Sequence, residues 1–235
     1  MLLSVKNLDV RFGSNRVIDG LSLDVEKGDV VAIIGPNGAG KTVLFRALLG
    51  LVKYEGEIIW PKNVKIGYVP QKLAVARDFP LTVKEFLDFK NSSEEEIFEA
   101  LEEVGFLKSQ GQRQMEHQLL NARLGELSGG EFRRALIAYA LIDHPDILLF
   151  DEPTAGVDIG GEETIYSFLE KLHKKLGMTI LLITHDLNII YRYASKVLCL
   201  NKEKVCYGLP KEALTPQTLE KLYGAQVGVY EHSEH

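Results

Sequence analysis

A glycine-rich loop at residues 35–42, with the sequence GPNGAGKT, constrains this chain more than any other feature. It follows the continuous apolar run 30–34, and it precedes residues 43–49, whose composition favours a helix that Gly50 would end. An apolar run without a polar face indicates a central strand that is buried on both sides of a sheet. The predicted order is strand, loop, helix, which is typical of an α/β fold.

The same loop has the residue types that bind phosphate. Glycines let backbone N–H groups approach a polyphosphate, and the N-terminus of the following helix adds partial positive charge. Lys41 would reach the β- and γ-phosphates, and the Thr42 hydroxyl would bind Mg²⁺. The alternative is a turn that merely joins strand to helix, which the Lys-Thr pair disfavours. The candidate nucleotide-binding residues of the loop are Gly35, Pro36, Asn37, Gly38, Ala39, Gly40, Lys41 and Thr42.

Local signals divide the rest of the chain into a core and an insertion. Residues 2–10 and 21–25 have the pattern of short strands, whereas helix signals dominate from 72 to 144. Strand and helix alternate again after that. Strands are predicted at 147–150, 179–183 and 196–200, and helices at 161–176, up to Tyr193 and at 217–223. We therefore predict one domain, with residues 1–71 and 145–235 as the nucleotide-binding core and residues 72–144 as a helical subdomain.

Several helix ends are marked by capping residues. Thr82 with Glu85, and Ser93 with Glu96, have the spacing of capping boxes in the helical region. Near the end of the chain, Thr215 and Pro216 form a plausible cap and first helical position, and Gly224 would close that helix. These signals predict where three helices begin and where one of them ends.

Composition limits the partners and the surroundings of the protein. The 235 residues carry a formal net charge of −6, which argues against a general nucleic-acid binder. No apolar stretch approaches the roughly 20 residues of a membrane span, so a partner would have to supply any membrane segment. Cys199 and Cys206 each lie in an apolar, strand-like stretch and are too few for a disulfide framework. We expect a reduced protein of the cytoplasm.

Two acidic residues follow the predicted strand 147–150. Asp151 would lie at the carboxyl edge of the sheet, beside the phosphate loop, and could bind Mg²⁺ through water. Glu152 would be placed to polarise an attacking water, with a contribution of roughly 10²- to 10⁴-fold to the proton-transfer step. An Asp-Glu pair after a strand is also common in solvated turns, but its position downstream of a phosphate loop favours the catalytic interpretation.

His185 lies in the segment Thr184-His185-Asp186, which directly follows the predicted strand 179–183. A histidine at that edge could hydrogen-bond a γ-phosphate, or hold Glu152 and the water in line. A lone histidine is more often structural or simply exposed. Its place at the carboxyl end of another strand is what makes it a catalytic candidate.

The string LSGGE at residues 127–131 lies between the phosphate loop and Asp151 and opens an amphipathic helix. Ser128, Gly129 and Gly130 offer a hydroxyl and accessible amides at a helix N-terminus, which is a second anion cradle. A serine N-cap with flexible glycines would explain Ser128 alone. The ordered set of motifs closely resembles the ABC transporter ATPase family, and the resemblance covers essentially the whole chain.

The resemblance implies a P-loop NTPase core with an antiparallel β subdomain and an inserted α-helical subdomain. It also implies an ATPase with Mg²⁺, in which the signature of one subunit closes over the ATP on the phosphate loop of another. The partner in this head-to-tail dimer would be a second copy of the chain or a homologous ATPase subunit. By the same resemblance Gln71 touches Mg²⁺ or water, Phe12 stacks on adenine and Asp158 lies at the dimer seam.

Three positions depart from the common pattern of the family. Glu131 replaces a frequent Gln at the end of the signature, and Phe12 replaces a commoner Tyr, so that the stacking face remains without its hydroxyl. Val43 stands where a second hydroxyl usually follows the loop, which removes a contact with the α-phosphate. Both Val43 and Glu131 remain in the predicted nucleotide site, and none of the three changes removes a residue that hydrolysis requires.

The lack of a fused membrane span resembles prokaryotic importers, whose motor is a separate chain on the inner face of the cell membrane. Transmembrane permease subunits and an extracytoplasmic substrate-binding protein are then the expected partners. Residues 186–191 and 197–201, with Tyr223 and Gly224, look like those of zinc and manganese importers. The alternatives are a motor for another small solute, a soluble ABC ATPase outside transport, or a regulator without turnover. His232 and His235 are expected to lie in a polar tail rather than in a metal sensor.

Overall fold

The computed structural model describes residues 1–71, 73, 75–106, 119–152, 169–174 and 177–224. The chain divides into two compact units, the first made of residues 1–62 and 179–235 and the second of residues 63–178. Strands and helices occur in both units, which confirms the α/β class. The limits proposed for the helical subdomain, residues 72 and 144, stay a prediction.

The strands and helices of the described residues are as follows, in chain order. The strands are β1 (Leu3–Phe12), β2 (Asn15–Val25), β3 (Val30–Ile34), β4 (Glu55–Ile59), β5 (Ile66–Val69), β6 (Ile147–Asp151), β7 (Thr179–Ile183), β8 (Lys196–Asn201) and β9 (Glu203–Gly208). The helices are α1 (Lys41–Leu48), α2 (Val83–Asp88), α3 (Glu94–Glu103), α4 (Gly129–Leu141), α5 (Leu187–Tyr193), α6 (Pro210–Ala213) and α7 (Pro216–Tyr223). A short 3₁₀ turn spans Leu124–Glu126.

The first unit contains two kinds of strand pairing. Strand β1 pairs antiparallel with β2 on one side and with β4 on the other, which confirms the expected antiparallel β subdomain. Strand β3 lies between the parallel strands β7 and β8, and β9 pairs antiparallel with β8. Every residue of β3 and β7 is buried, as the continuous apolar runs predict. The phosphate loop therefore leaves the sheet from an interior strand.

Helices α5 and α7 bury their apolar side chains against β3 and β8. The buried cluster comprises Ala32, Ile34, Ile190, Val197, Cys199, Leu214, Leu219 and Leu222. Helix α7 confirms its local signals: the Thr215 hydroxyl accepts from the backbone N–H of Thr218, Pro216 is the first helical residue, and Gly224 ends the helix with φ of 70°. The cluster supports β3 up to Ile34, immediately before the phosphate loop begins.

The expectation of two reduced cysteines is wrong for this structure, because a disulfide joins Cys199 to Cys206. The two residues are direct partners across the antiparallel strands β8 and β9, with a Cα–Cα distance of 4.8 Å. This spacing lies within the range that a disulfide can bridge. Each cysteine was correctly expected on a strand, but the pairing of the two strands was not expected.

The second unit combines a parallel strand pair with helices. Strands β5 and β6 pair in register from Ile66 with Ile147 to Val69 with Phe150, so that their carboxyl ends lie side by side. The predicted capping boxes open α2 and α3, and a third opens α4. The Phe86 ring stacks on the Tyr139 ring, with centroids 4.4 Å apart, and thereby joins α2 to α4.

Two strands were not predicted, and some predicted elements lie outside the described residues. Strands β4 and β5 were not predicted, because β4 is largely exposed and β5 has only four residues. The helix predicted at 161–176 falls mainly outside the described residues, as do Asp158, His232 and His235. Among the residues that the structure describes, no helix has both the length and the apolar character that crossing a membrane requires.

Candidate nucleotide-binding and hydrolysis site

The phosphate loop is held closely against its neighbours at two glycines. Gly35 has φ of 154°, and a Cβ there would lie 2.0 Å from the carbonyl oxygen of Leu200. Gly40 has φ of 97°, and a Cβ there would lie 2.9 Å from the carbonyl oxygen of Val17. Side chains are therefore excluded at both positions, because β-carbons do not approach backbone atoms so closely. The sequence pattern that demands glycine here has a steric cause.

Lys41 is the first residue of α1, and its ammonium folds back over the loop. Its Nζ donates to the carbonyl oxygens of Gly35, at 2.7 Å, and of Pro36, at 3.0 Å. Gly40, the N-cap residue, has no side chain that could cap α1, and the N-terminus of a helix attracts anions such as phosphate. The loop thus presents a charge and a helix N-terminus at one place, as predicted. Thr42 and Val43 follow in the first turn of α1.

Phe12 and His185 are the other candidates in the first unit. Phe12 ends β1 opposite Asn15, and half of its side chain is exposed, at 50%. Its ring could therefore stack on a base without any rearrangement of the core. His185 is exposed and lies two residues beyond the end of β7, which pairs in parallel with β3 up to Ile183 opposite Ile33. His185 and the start of the phosphate loop accordingly lie at the same edge of the sheet.

The acidic pair lies in the second unit at the end of β6. Asp151 is its last residue and is only 1% exposed. Glu152 follows with φ of 44°, in the left-handed region that a residue with a Cβ seldom adopts. Such a conformation costs about 1–3 kcal/mol and persists only where the surroundings enforce it. The structure therefore fixes the direction in which the Glu152 side chain leaves the strand.

Gln71 and Glu152 come together although 81 positions separate them in the sequence. The Gln71 side-chain amide Nε2 donates a hydrogen bond to the Glu152 carboxylate at Oε2. The contact follows from the pairing of β5 with β6, since each residue comes just after the end of its strand. Sequence analysis assigned these residues separately, Gln71 as a contact of Mg²⁺ or water and Glu152 as the catalytic base, and the structure brings the two together as one pair.

Arg133 belongs to this cluster and was missed as a site residue. The residue lies on α4, and only 6% of it is exposed. Sequence analysis did not single out this residue and did not predict its burial. Burial lowers the pKa of the guanidinium to about 10, and the nearby charge of Asp151 opposes that shift. The available signal in the sequence was the pair of adjacent arginines, Arg133 and Arg134, shortly after the signature. The pair alone did not show which of the two arginines is buried.

The signature residues Ser128 and Gly129 are exposed at the start of α4. The Ser128 hydroxyl accepts from the N–H of Glu131, and the Glu131 carboxylate accepts from the N–H of Ser128, at 3.3 Å and 2.8 Å. The hydrogen bonds from Ser128 hold the pKa of Glu131 below its usual range. A Cβ at Gly130 would meet only Arg134 Nη2, at 3.8 Å. The capping role of Ser128 is confirmed, and its role as an anion cradle stays a prediction.

The oxygen donors of this chain suit Mg²⁺, which prefers carboxylate, hydroxyl and amide oxygens. The candidates are the Thr42 hydroxyl in the first unit and the Gln71 amide and Asp151 carboxylate in the second. Among the described residues no cluster of three or more His, Cys, Asp or Glu side chains could hold a metal on its own. This composition fits an ion that a nucleotide phosphate also binds.

Comparisons with known proteins agree with this chemistry. Residues 18–155 match the family described as ABC transporter. The zinc import ATP-binding protein ZnuC of Magnetococcus marinus is 38% identical over 241 residues, which cover 100% of this chain and 89% of that protein. The alignment is long enough to include every candidate residue.

Solved structures share the fold. The structure of cbiO1 from Clostridium perfringens, part of the ABC transporter complex cbiONQ, has a TM-score of 0.72 at 27% identity and covers 90% of this chain and 89% of that one. A dimeric ATP-binding cassette, in a post-hydrolysis state with ADP and phosphate bound, has a TM-score of 0.73 at 26% identity and covers 89% of this chain and 99% of that one. The protein therefore belongs to the ABC transporter family, as a subunit that binds and hydrolyses ATP.

Proposed function

We propose that this subunit is the motor of an importer for a metal ion, zinc or manganese, and that it works as a head-to-tail dimer. The observation that carries the metal assignment is the 38% identity, over the whole chain, to a zinc import ATP-binding protein. Nothing in a motor subunit touches the cargo, so the chemistry of this chain supports the ATPase and the relative supports the substrate class.

In the proposed site, the loop 35–42 and Lys41 bind the phosphates of ATP, and the Phe12 ring stacks on the adenine. Thr42, Gln71 and Asp151 would hold Mg²⁺, directly or through water. The ion, when bound, neutralises charge on the β- and γ-phosphate oxygens. These contacts bind and orient the nucleotide before any proton moves.

Glu152 is the proposed general base. Its carboxylate takes a proton from the attacking water, while the hydrogen bond from Gln71 holds the side chain in place. His185 donates a hydrogen bond to the γ-phosphate as negative charge shifts in the transition state. The left-handed backbone at Glu152 supports this role, because strain of this kind clusters at active sites.

The signature is proposed to act on the ATP of a partner subunit. Ser128 and Gly129 are exposed and stand at the N-terminus of α4, a 13-residue helix whose dipole favours an anion. A two-fold dimer would place each signature against the phosphate loop of the other chain. The dimeric relative with ADP and phosphate bound supports this arrangement.

Transmembrane permease subunits are the proposed partners on the membrane side, and the motor would lie on the inner face of the cell membrane. The relative that is part of a larger transporter complex supports separate membrane subunits. An extracytoplasmic binding protein would deliver the metal ion.

The test is light scattering of the Glu152→Gln variant with and without Mg-ATP, together with its ATPase rate. Slow hydrolysis should accumulate the closed form, so we expect ATP to shift the variant from monomer to dimer, with little turnover. The matched control is Glu99→Gln, an exposed carboxylate on α3, which should hydrolyse ATP at the wild-type rate. Wild-type turnover by Glu152→Gln would refute the catalytic assignment. Bound ATP without a dimer would contradict closure by the motor alone.

Metal specificity needs the assembled transporter. We expect vesicles containing the motor, its permease and its binding protein to take up zinc or manganese in an ATP-dependent manner. Uptake should stop with Glu152→Gln and continue with Glu99→Gln. ATP-dependent uptake of an unrelated solute, with neither metal transported, would refute the proposed substrate class.

A further inference from the structure

A buried guanidinium connects three segments of the second unit. Arg133 Nη1 donates to the backbone carbonyl oxygens of Pro70 and Gln71, both at 3.2 Å. Its Nη2 donates to the carbonyl oxygens of Asp151 and Glu152, at 3.3 Å and 3.0 Å. The segments that carry the glutamine and the acidic pair are thus bound to one side chain of the signature helix α4.

The contact with Glu152 lies at an unusual backbone conformation. Glu152 has φ of 44°, and its own carbonyl oxygen accepts one of the Arg133 hydrogen bonds while the preceding carbonyl accepts another. Two charge-assisted hydrogen bonds on consecutive carbonyls restrict the rotation of the peptide between them. The guanidinium therefore acts on the backbone that aims the Glu152 carboxylate.

The same group fixes the partner of that carboxylate. Gln71 donates to the Glu152 side chain through Nε2, and its backbone carbonyl accepts from Arg133. Both ends of the Gln71–Glu152 hydrogen bond are consequently anchored to Arg133 through their backbones. A shift of either anchor would change the separation of the two side chains.

The geometry needs arginine rather than a generic cation. Two terminal nitrogens of a planar fork serve two pairs of carbonyls, and a lysine ammonium is a single point with no such fork. The guanidinium also lies over the Phe150 ring, with Cζ 5.4 Å from the ring centroid, a distance at which a cation is attracted to the ring. Phe150 is the residue of β6 that precedes Asp151 and is itself fully buried.

We propose that Arg133 is a positioning residue for ATP hydrolysis, which holds Glu152 and Gln71 in their working geometry and ties both to the signature helix. This inference rests on the proposed role of Glu152 as the general base. Arg133 touches no reacting atom, so its contribution belongs to turnover and not to nucleotide binding. Because α4 begins at the signature, the same contacts link the surface assigned to the partner's ATP with the base of this chain's own site.

The experiment compares Arg133→Lys and Arg133→Met in the full chain with Arg123→Lys, an exposed arginine of the same unit. Misplacing a catalytic group by about 1 Å can lower a rate by roughly 10²-fold. We accordingly expect Arg133→Lys to lower kcat by about 10- to 100-fold, and Arg133→Met at least as much. The KM for ATP should change by less than about two-fold, as for an interaction made only in the transition state. Arg123→Lys should retain the wild-type kcat.

Measuring the amount of ATP bound per chain distinguishes a positioning role of Arg133 from a purely structural role. One ATP bound per chain, with wild-type affinity, in a slow Arg133→Lys variant would show that the loss is not due to an unfolded fraction. Equal losses in affinity and kcat would overturn the inference, and so would a wild-type kcat in Arg133→Lys. Glu152→Gln is assayed in parallel. If Glu152→Gln is slow but the Arg133 variants are not, only the positioning role of Arg133 is refuted. Wild-type turnover by Glu152→Gln would instead refute the proposed role of Glu152 as the general base.

Discussion

Lys41 contacts the backbone of the phosphate loop and is also the proposed ligand of the ATP phosphates. Its ammonium donates to the Gly35 and Pro36 carbonyl oxygens, which keeps the charge over the loop instead of in solvent. A polyphosphate would meet this charge together with the N-terminus of α1. The residue is therefore assigned to affinity, whereas Glu152 is assigned to rate.

We expect Lys41→Ala to weaken ATP binding by about 10- to 100-fold, since a hydrogen bond to a charged group contributes about 1.5–3 kcal/mol. A calorimetric titration of the variant with ATP measures the change. The control is Lys204→Ala, because Lys204 is an exposed residue of β9 whose Nζ also donates to a backbone carbonyl, that of Ser22 on β2, at 2.8 Å. Undiminished affinity in Lys41→Ala would refute the assignment of the phosphate loop.

Asp29 is a residue whose charge contributes to stability instead of chemistry. Its carboxylate accepts from Lys196 Nζ at 2.6 Å, from the Glu26 N–H at 2.8 Å and from the Ser195 hydroxyl at 3.1 Å. Burial alone would raise the pKa of Asp29, but the hydrogen bonds, led by that from Lys196, outweigh it and hold the pKa below 3.8. A lowered pKa in the folded state stabilises the protein above the unfolded value, and that stability is lost as the pH falls through the folded value.

Asp29→Asn should consequently reduce the free energy of unfolding by about 1–2 kcal/mol at pH 7. The difference from wild type should shrink once the pH falls below 3.8, the ordinary pKa from which Asp29 departs. Urea unfolding at pH 7 and at a pH below that value measures both differences. A gap that stays constant with pH would show that the charge of Asp29 does not stabilise the fold.

At the level of single elements, capping residues predicted the helix starts well because their hydrogen bonds are local. Thr82, Ser93, Ser128 and Thr215 each accept from a backbone N–H three residues ahead. Such bonds need no tertiary contact, so the sequence spacing is enough to find them. Strands β4 and β5 have no comparable local signal, and both depend on a neighbouring strand for their hydrogen bonds.

Helix α7 offers a test of this reasoning away from the nucleotide site. We expect Thr215→Ala to destabilise the protein by about 1 kcal/mol through loss of the N-cap, and Thr215→Ser to retain most of the stability. Thermal unfolding of the three proteins provides the comparison, and ATP affinity should be the same in all of them. An equal loss in Thr215→Ser would mean that the methyl group, and not the hydroxyl, stabilises this end.

At the scale of the whole molecule, the candidate residues fall into two sets. The phosphate loop, Phe12 and His185 belong to the first compact unit, and the acidic pair, Gln71 and the signature belong to the second. The proposed ligand of the exposed signature is the ATP of a partner subunit. A head-to-tail dimer would bring the two together, because two-fold symmetry gives each subunit the same complementary surfaces.

Mixing two inactive variants tests that assignment. Ser128→Arg should bind ATP as a single chain but hydrolyse little, because its signature cannot close on a partner's ATP, and Glu152→Gln should also be inactive. Their mixed dimer has one site with an intact base and an intact partner signature, so random pairing should restore about a quarter of the wild-type activity. Each variant alone is the control in an ATPase assay. If the mixture stays inactive, the signature acts within its own chain.

Much of the candidate site could be predicted from sequence because its signals are local. The loop 35–42, the buried strand before it and the Thr215–Gly224 helix signals depend on backbone conformation and short-range hydrogen bonds. These features can be predicted without knowing which distant residues they contact. The phosphate loop follows from its own residue pattern, whereas the signature follows from the resemblance of the ordered motifs to the ABC transporter ATPase family.

Other features exist only because distant segments pair. The disulfide between Cys199 and Cys206 needs the register of β8 with β9, and the Gln71–Glu152 contact needs the pairing of β5 with β6. The burial of Arg133 depends on carbonyl groups 62 and 19 positions away. Periodicity along one helix could place Arg133 on a face but could not supply the acceptors that make a buried charge stable.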